Sequence, residues 1–217
     1  MNRYIRVALV VGALGIASVI GLSASPDAVA KEDKVSAEAF RAEMRRLWED
    51  HIVWTRQYIV SAATLESDLP DIGPTADRLF LNQTHIGEAI SPFYGADAGA
   101  ALTALLNDHI AIAARAITEA KAGNQAGLDA ALADWYANGD DIATFLANAN
   151  PNNWPFEMMS MHMRGHLDLT LDEAVARLGA DYEADIAAYD AIHAQILGMA
   201  DMLADGIITQ FPSKFSR

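Results

Sequence analysis

Phe40-Arg41-Ala42-Glu43-Met44-Arg45-Arg46-Leu47-Trp48-Glu49-Asp50-His51-Ile52-Val53-Trp54-Thr55-Arg56-Gln57-Tyr58 decides the fold class. Within it Phe40, Met44, Leu47, His51, Trp54 and Tyr58 recur at steps of four and three, the core-facing stripe of a bundle helix. Two further stretches repeat the pattern: Leu102, Leu105, His109, Ile112 and Ala116, then Tyr182, Ile186, Tyr189, His193, Ile196, Ala200 and Leu203. In each, a histidine stands where a hydrophobe is expected. A buried imidazole needs hydrogen-bond partners, and neutral imidazole is also the commonest protein metal ligand. Three of them aimed at one core point to a polar or metal-binding centre.

Working outward, no strand-like alternation persists anywhere after residue 30, and six helical segments are expected. The first runs from about Ser36 to Ala63, and Pro70, Gly73 and Pro74 mark the break after it. The second starts near Thr75 or Ala76 and ends at Ser91-Pro92. Tyr94-Gly95 turns the chain into a third, from Ala96 to about Ala122, and Gly123-Asn124 leads to a fourth over Gln125 to Ala149. After the loop Asn150-Pro151-Asn152-Asn153-Trp154-Pro155, a short fifth helix covers Phe156 to Arg164 and stops at Gly165. Thr170 with Glu173 reads as a capping box that opens a sixth, bent at Gly179-Ala180-Asp181 and continuing to about Ile208. Short links between amphipathic helices imply antiparallel neighbours. The expected fold is an all-α antiparallel helical bundle of four long helices plus shorter ones, in one domain over 31–217, with no internal repeat.

Residues 1–30 read as a signal peptide: Arg3 and Arg6, an apolar run from Val7 to Leu22, then Ala28-Val29-Ala30 as the cleavage pattern. The run is short for a membrane span, and no cysteine follows it for a lipid anchor. A secreted or periplasmic location is expected, with membrane contact only through an uncleaved signal. The absence of cysteine removes disulfides, thiolate nucleophiles and thiolate metal sites together. Net charge is −14 for the whole chain, a field that repels phosphate backbones, so nucleic acid is not an expected partner. A small ligand or a metal ion is, and the oligomeric state is left open.

The residues proposed for the centre follow from helical spacing. His51, His109 and His193 are the candidate metal ligands, with Asp190, one turn before His193, as a ligand or a group orienting it. Asn82 and His85 share a helix face with Glu88, and Asn138 and Asp141 share one with Trp135, which makes Asn82, His85 and Asp141 supporting groups. Nitrogen and oxygen donors suit zinc, iron, copper, nickel or manganese without choosing among them. Met158, Met159, Met161 and Met163 around His162, with His166 one turn further, would suit copper(I), although methionines commonly fill irregular core gaps. Arg56 is read as neutralising a core carboxylate or holding a ligand anion. Nucleotide-binding glycine loops and the Gly-x-Ser-x-Gly elbow are absent from the sequence.

Leu47-Trp48-Glu49-Asp50-His51 through Trp54-Thr55-Arg56, Asn107-Asp108-His109-Ile110, His166-Leu167-Asp168-Leu169-Thr170, Tyr189-Asp190-Ala191-Ile192-His193 and Gly206-Ile207-Ile208-Thr209-Gln210-Phe211-Pro212 resemble a family of bacterial helical proteins. The names glycosyltransferase and acetylglutamate kinase are sometimes attached to that family. The resemblance implies no established active site, and both names belong to α/β folds, whereas this chain shows no strands. Three functions are thus in competition: a binding protein with a buried His/carboxylate metal centre, a hydrolase or transferase using histidine as general base in the same pocket, and a metal-free structural or interaction module whose polar core specifies packing.

Overall fold

The computed structural model describes residues 34–64 and 67–216; the signal peptide read in residues 1–30 lies outside them. Six helices of 23 to 29 residues follow one another: α1 (Ala37–Ala62), α2 (Ile72–Tyr94), α3 (Ala96–Lys121), α4 (Gln125–Ala149), α5 (Phe156–Leu178) and α6 (Tyr182–Gln210). Two-residue strands β1 (Val35–Ser36) and β2 (Phe215–Ser216) pair in parallel, Val35 with Phe215, and join the two ends of the described chain.

Local chemistry sets the boundaries. The Ser36 hydroxyl accepts from the Ala39 N–H at 3.2 Å, Asn124 caps α4 through the Gly127 N–H and Asp181 caps α6 through the Ala184 N–H. Gly95, at φ 92°, makes the abrupt turn between α2 and α3. All-α organisation and the span of α4 agree with the sequence reading. The fifth and sixth segments differ from it. α5 runs unbroken through Gly165 to Leu178, and the expected bend at 179–181 is the actual helix boundary. Thr170 is therefore mid-helix, its hydroxyl bonded to the His166 carbonyl at 2.8 Å, and Glu173 faces the core and not a cap. The bundle has six long helices, not four.

Each helix packs on the helices before and after it in sequence, and α6 closes back on α1. The result is a closed ring of antiparallel staves, with α1 also touching α3 and α5 across it. Close approach is built in between α2 and α3, where a Cβ on Gly87 would lie 2.4 Å from the Gly99 carbonyl oxygen. By length and composition α3 and α6 could cross a membrane, a property that core helices of bundles share.

The ring's interior holds two apolar clusters. The larger fills one half, from Phe40, Met44 and Leu47 on α1 to Ile196, Met199 and Leu203 on α6. The smaller, in the other half, contains Ile59, Ala62, Ala63, Ile117 and Ala174. Along α3 and α5 a histidine falls between the residues of the two clusters, and along α1 His51 sits at the end of the larger one, beside Ile52.

Candidate functional site

His51 on α1, His109 on α3 and His166 on α5 are 2, 3 and 4 % exposed. Their ring centres form a triangle with sides of 6.4 Å (His51–His109), 6.1 Å (His109–His166) and 5.7 Å (His51–His166). Alternate staves of an antiparallel ring run in the same direction, so residues at the same height on α1, α3 and α5 meet inside. The three recur at intervals of 58 and 57 residues. Each is matched by a carboxamide on the following helix. His51 Nδ1 lies 3.1 Å from Gln83 Oε1 on α2, and His109 Nδ1 lies 2.9 Å from Asn138 Oδ1 on α4. Gln195 on α6 accompanies His166, although neither His166 Nδ1 nor Gln195 Oε1 has a partner within hydrogen-bond distance. The bundle is thus three helical hairpins, each with a histidine on its first helix and a carboxamide on its second. This is a repeat of architecture that the sequence reading did not find.

Hydrogen bonds fix the imidazole tautomers. Gln83 Nε2 donates to the Leu79 carbonyl at 2.8 Å and to Asn82 Oδ1 at 3.2 Å, so Oε1 is the atom facing His51. An amide oxygen only accepts, so His51 carries its proton on Nδ1. Asn138 Nδ2 donates to the Leu105 carbonyl at 3.1 Å, which fixes His109 in the same way. Nε2 of both rings is left as a lone pair, and no group among the described residues donates to it.

Burial pushes all three imidazoles below the ordinary histidine range. His51 is well below it, with the neighbouring His166 and His109 adding to the effect against the Gln83 bond. Burial, reinforced by His166, takes His109 down to about 3, and burial takes His166 down to about 4. The layer is neutral at physiological pH. Four of the unpartnered buried polar atoms among the described residues lie in or beside it: Nε1 of Trp48 and Trp135, His166 Nδ1 and Gln195 Oε1. Such orphans are few in native proteins, and a cluster of them marks an unusual core.

Beyond the layer, in the half with the smaller apolar cluster, α1 to α5 surround a part-open chamber of about 210 Å³. Its wall contains the residues one and two turns after each histidine: Thr55 and Ile59, Ala113 and Ile117, Thr170 and Ala174. Leu79, Leu132 and Trp135 complete it from the even helices, and the Trp135 ring also lies 5.3 Å from that of His109. The many alanines on these staves are what leave the space unfilled.

Beside the chamber, Arg56 ties three helices together. Its Nη1 donates to Glu173 Oε1 on α5 at 2.6 Å and to Asp185 Oδ1 on α6 at 2.8 Å, and its guanidinium stacks 4.7 Å from the Tyr189 ring centre. Arg177 also donates to Asp185, at 3.4 Å. Glu173 and Asp185 are each 1 % exposed. Burial raises Glu173 to about 7 against the pull of Arg56. Of the two roles read for Arg56 in the sequence, neutralising core carboxylates is the one the fold realises.

The expected metal centre is not formed. His193 lies at the surface with Nε2 2.8 Å from Glu49 Oε1, and Asp190 is exposed. Among the described residues no group of three or more histidines and carboxylates is placed to hold a metal ion. The metal-binding function expected from His51, His109, His193 and Asp190 is overturned by that arrangement. The α6 stripe was misjudged because its inward face is Asp185, Ile192, Ile196 and Met199, while Tyr182 and Ile186 point outward. A charged residue such as Asp185 does not look like core until its arginine is known.

The remaining candidates scatter. Asn82 is buried and supports the layer, donating to the Leu47 carbonyl at 2.9 Å and accepting from Gln83. His85 is partly exposed in a surface groove with Glu43 and Glu88, and Asp141 is exposed beside Asp108 and Arg115. His162 contributes its backbone carbonyl to Gln195, not its ring to His166. Met159 and Met163 are buried as core while Met161 is exposed, so the methionine run forms no shared centre with His162. Gln83, Gln195, Glu173 and Asp185 were missed. The one signal for the carboxamides is that Gln83, Asn138 and Gln195 follow their histidines by 32, 29 and 29 residues.

No family model matches the chain, and no curated protein or solved structure is significantly similar to it. The resemblance to the bacterial helical family therefore brings no residue roles to this site.

Proposed function

We propose that the protein is a non-catalytic binding protein that carries one small, uncharged, apolar organic molecule in the chamber beyond the imidazole layer. The chamber itself carries this reading: about 210 Å³ of part-open space walled mainly by alanine, leucine, isoleucine and tryptophan from five helices. An apolar cavity of about 150 Å³ is known to hold benzene, so a molecule the size of one substituted aromatic ring fits the volume. Rigid helices present every wall residue, which limits the entropy lost on binding. With the signal peptide read in residues 1–30, this would be a secreted or periplasmic carrier.

The hydrolase or transferase alternative asks a histidine to act as general base, whose ideal pKa lies near working pH. Imidazoles lowered to about 3 and 4 are weak bases, and all three are shielded from solvent. The binding reading makes no such demand.

The test is titration with toluene at pH 7.5, followed by amide NMR. Shifts confined to the chamber-facing turns of α1, α3 and α5, abolished by Ala174→Phe, are the expected result. A spectrum unmoved by saturating toluene would overturn the reading.

A further inference from the structure

We propose that the imidazole layer is a proton-operated gate for the chamber: uptake of protons by His51, His109 and His166 favours an opened ring from which the chamber's occupant leaves. This inference rests on the binding reading above and adds its regulation.

The geometry couples layer to chamber directly. Trp135 is common to both, packed on His109 and exposed to the chamber. The Thr55 and Thr170 hydroxyls, also in the chamber wall, bond to the backbone carbonyls of His51 and His166 at 2.7 and 2.8 Å. A shift of the His109 ring therefore moves a wall residue directly, and a backbone shift at His51 or His166 moves the wall threonines. The wall half of the ring is also the weaker one, because its apolar cluster is small and surrounds a space.

The electrostatics give the gate its direction. Facing the three rings are one another and three neutral carboxamides, Gln83 from α2, Asn138 from α4 and Gln195 from α6. No carboxylate acts on them to stabilise an imidazolium. A proton can be held at the ordinary histidine affinity only if the ring reaches water, so falling pH favours opening once it passes below the free histidine value of about 6.5. Glu173 opposes this. Its charge is acted on by Arg56 from α1, Arg177 from its own helix and Asp185 from α6, with Tyr189 nearby. Its raised pKa makes the closed ring take up a proton that an opened one would release, so one carboxyl offsets one imidazole. Three imidazoles outnumber it.

Opening need not become the major state to be seen, because the release rate scales with the population of the opened ring. Each proton taken up on opening raises that population about tenfold per pH unit. The experiment measures the release rate of bound toluene by NMR exchange between pH 7.5 and 5.5, alongside amide hydrogen exchange of the unliganded protein over residues 55–62, 113–121 and 170–178. Wild type is expected to release toluene at least tenfold faster per pH unit below about 6.5, with protection of those turns falling in parallel. His109→Gln and His166→Gln, which cannot titrate, are expected to flatten both slopes. A release rate indifferent to pH, or slopes unchanged in both variants, would overturn the gate while leaving the binding reading intact. Should toluene not bind at pH 7.5, the binding reading fails, and the hydrogen-exchange slopes alone decide whether the layer opens with acid.

Discussion

His51 and Gln83 form a pair in which only one proton arrangement works: the imidazole donates from Nδ1 across 3.1 Å because the carboxamide NH₂ is already committed to the Leu79 carbonyl. His109 and Asn138 repeat the relation one hairpin later. Removing the acceptor strands a buried N–H, which typically costs about 1–3 kcal/mol. Gln83→Leu is therefore expected to lose about that much stability, and to free Asn82 Oδ1 as well. Denaturant unfolding of the variant beside His51→Leu and the double variant separates the pair: the double is expected to be less damaging than the sum of the singles. Strict additivity would show that the bond contributes nothing.

Acid is expected to unfold the protein from the histidines outward. The folded-state values of His109 and His166, about 3 and 4, lie below the free value of 6.5, and His51 is lowered too. Their contribution is complete above pH 6.5 and is lost as pH falls toward those folded values. Glu173 runs the other way, since its value is raised from 4.5 to about 7: its contribution is complete below 4.5 and is lost as pH rises through 7. Between about pH 6 and 5 the unfolded chain binds three more protons at the histidines and one fewer at Glu173. The net is roughly two protons, or about 3 kcal/mol per pH unit. Urea midpoints measured from pH 7.5 to 4.5 check this, and a stability flat across pH 6 to 5 would contradict the buried neutral layer.

Helix existence was legible because hydrophobic steps of three and four survive on most staves, and α4 was readable to the residue from Asn124 and Asn150. The site was legible only in part. His51 and His109 stood out as polar residues on apolar stripes, and that logic was sound. It failed on α6, where polar Asp185 and partly buried Gln195 share the inward side with Ile192 and Ile196, and where the outward His193 lies on a stripe with Tyr182 and Ile186. Placing His166 required α5 to continue through Gly165, a residue that reads as a stop in sequence but has open space around it in the bundle. The ring closure that sets three histidines at one height depends on contacts between distant helices, which no local pattern encodes.

Arg56 joins α1 to α5 and α6 beside the chamber half of the ring. Glu173 and Asp185 are buried and converge on the same guanidinium nitrogen, at 2.6 and 2.8 Å. Breaking a buried pair by deleting one partner typically costs about 3–5 kcal/mol, because a charge is left uncompensated. Arg56→Met is expected to fall in that range at pH 7.5. Lowering the pH toward 6 should soften the defect, since Glu173 is then free to take a proton while Arg177 still reaches Asp185. Arg56→Lys keeps the charge but cannot span both carboxylates with a planar fork, so an intermediate loss is expected. Glu173→Gln in the Arg56→Met background isolates the cause: recovery of stability identifies the stranded carboxylate, and no recovery would assign the loss to the arginine's packing on Tyr189.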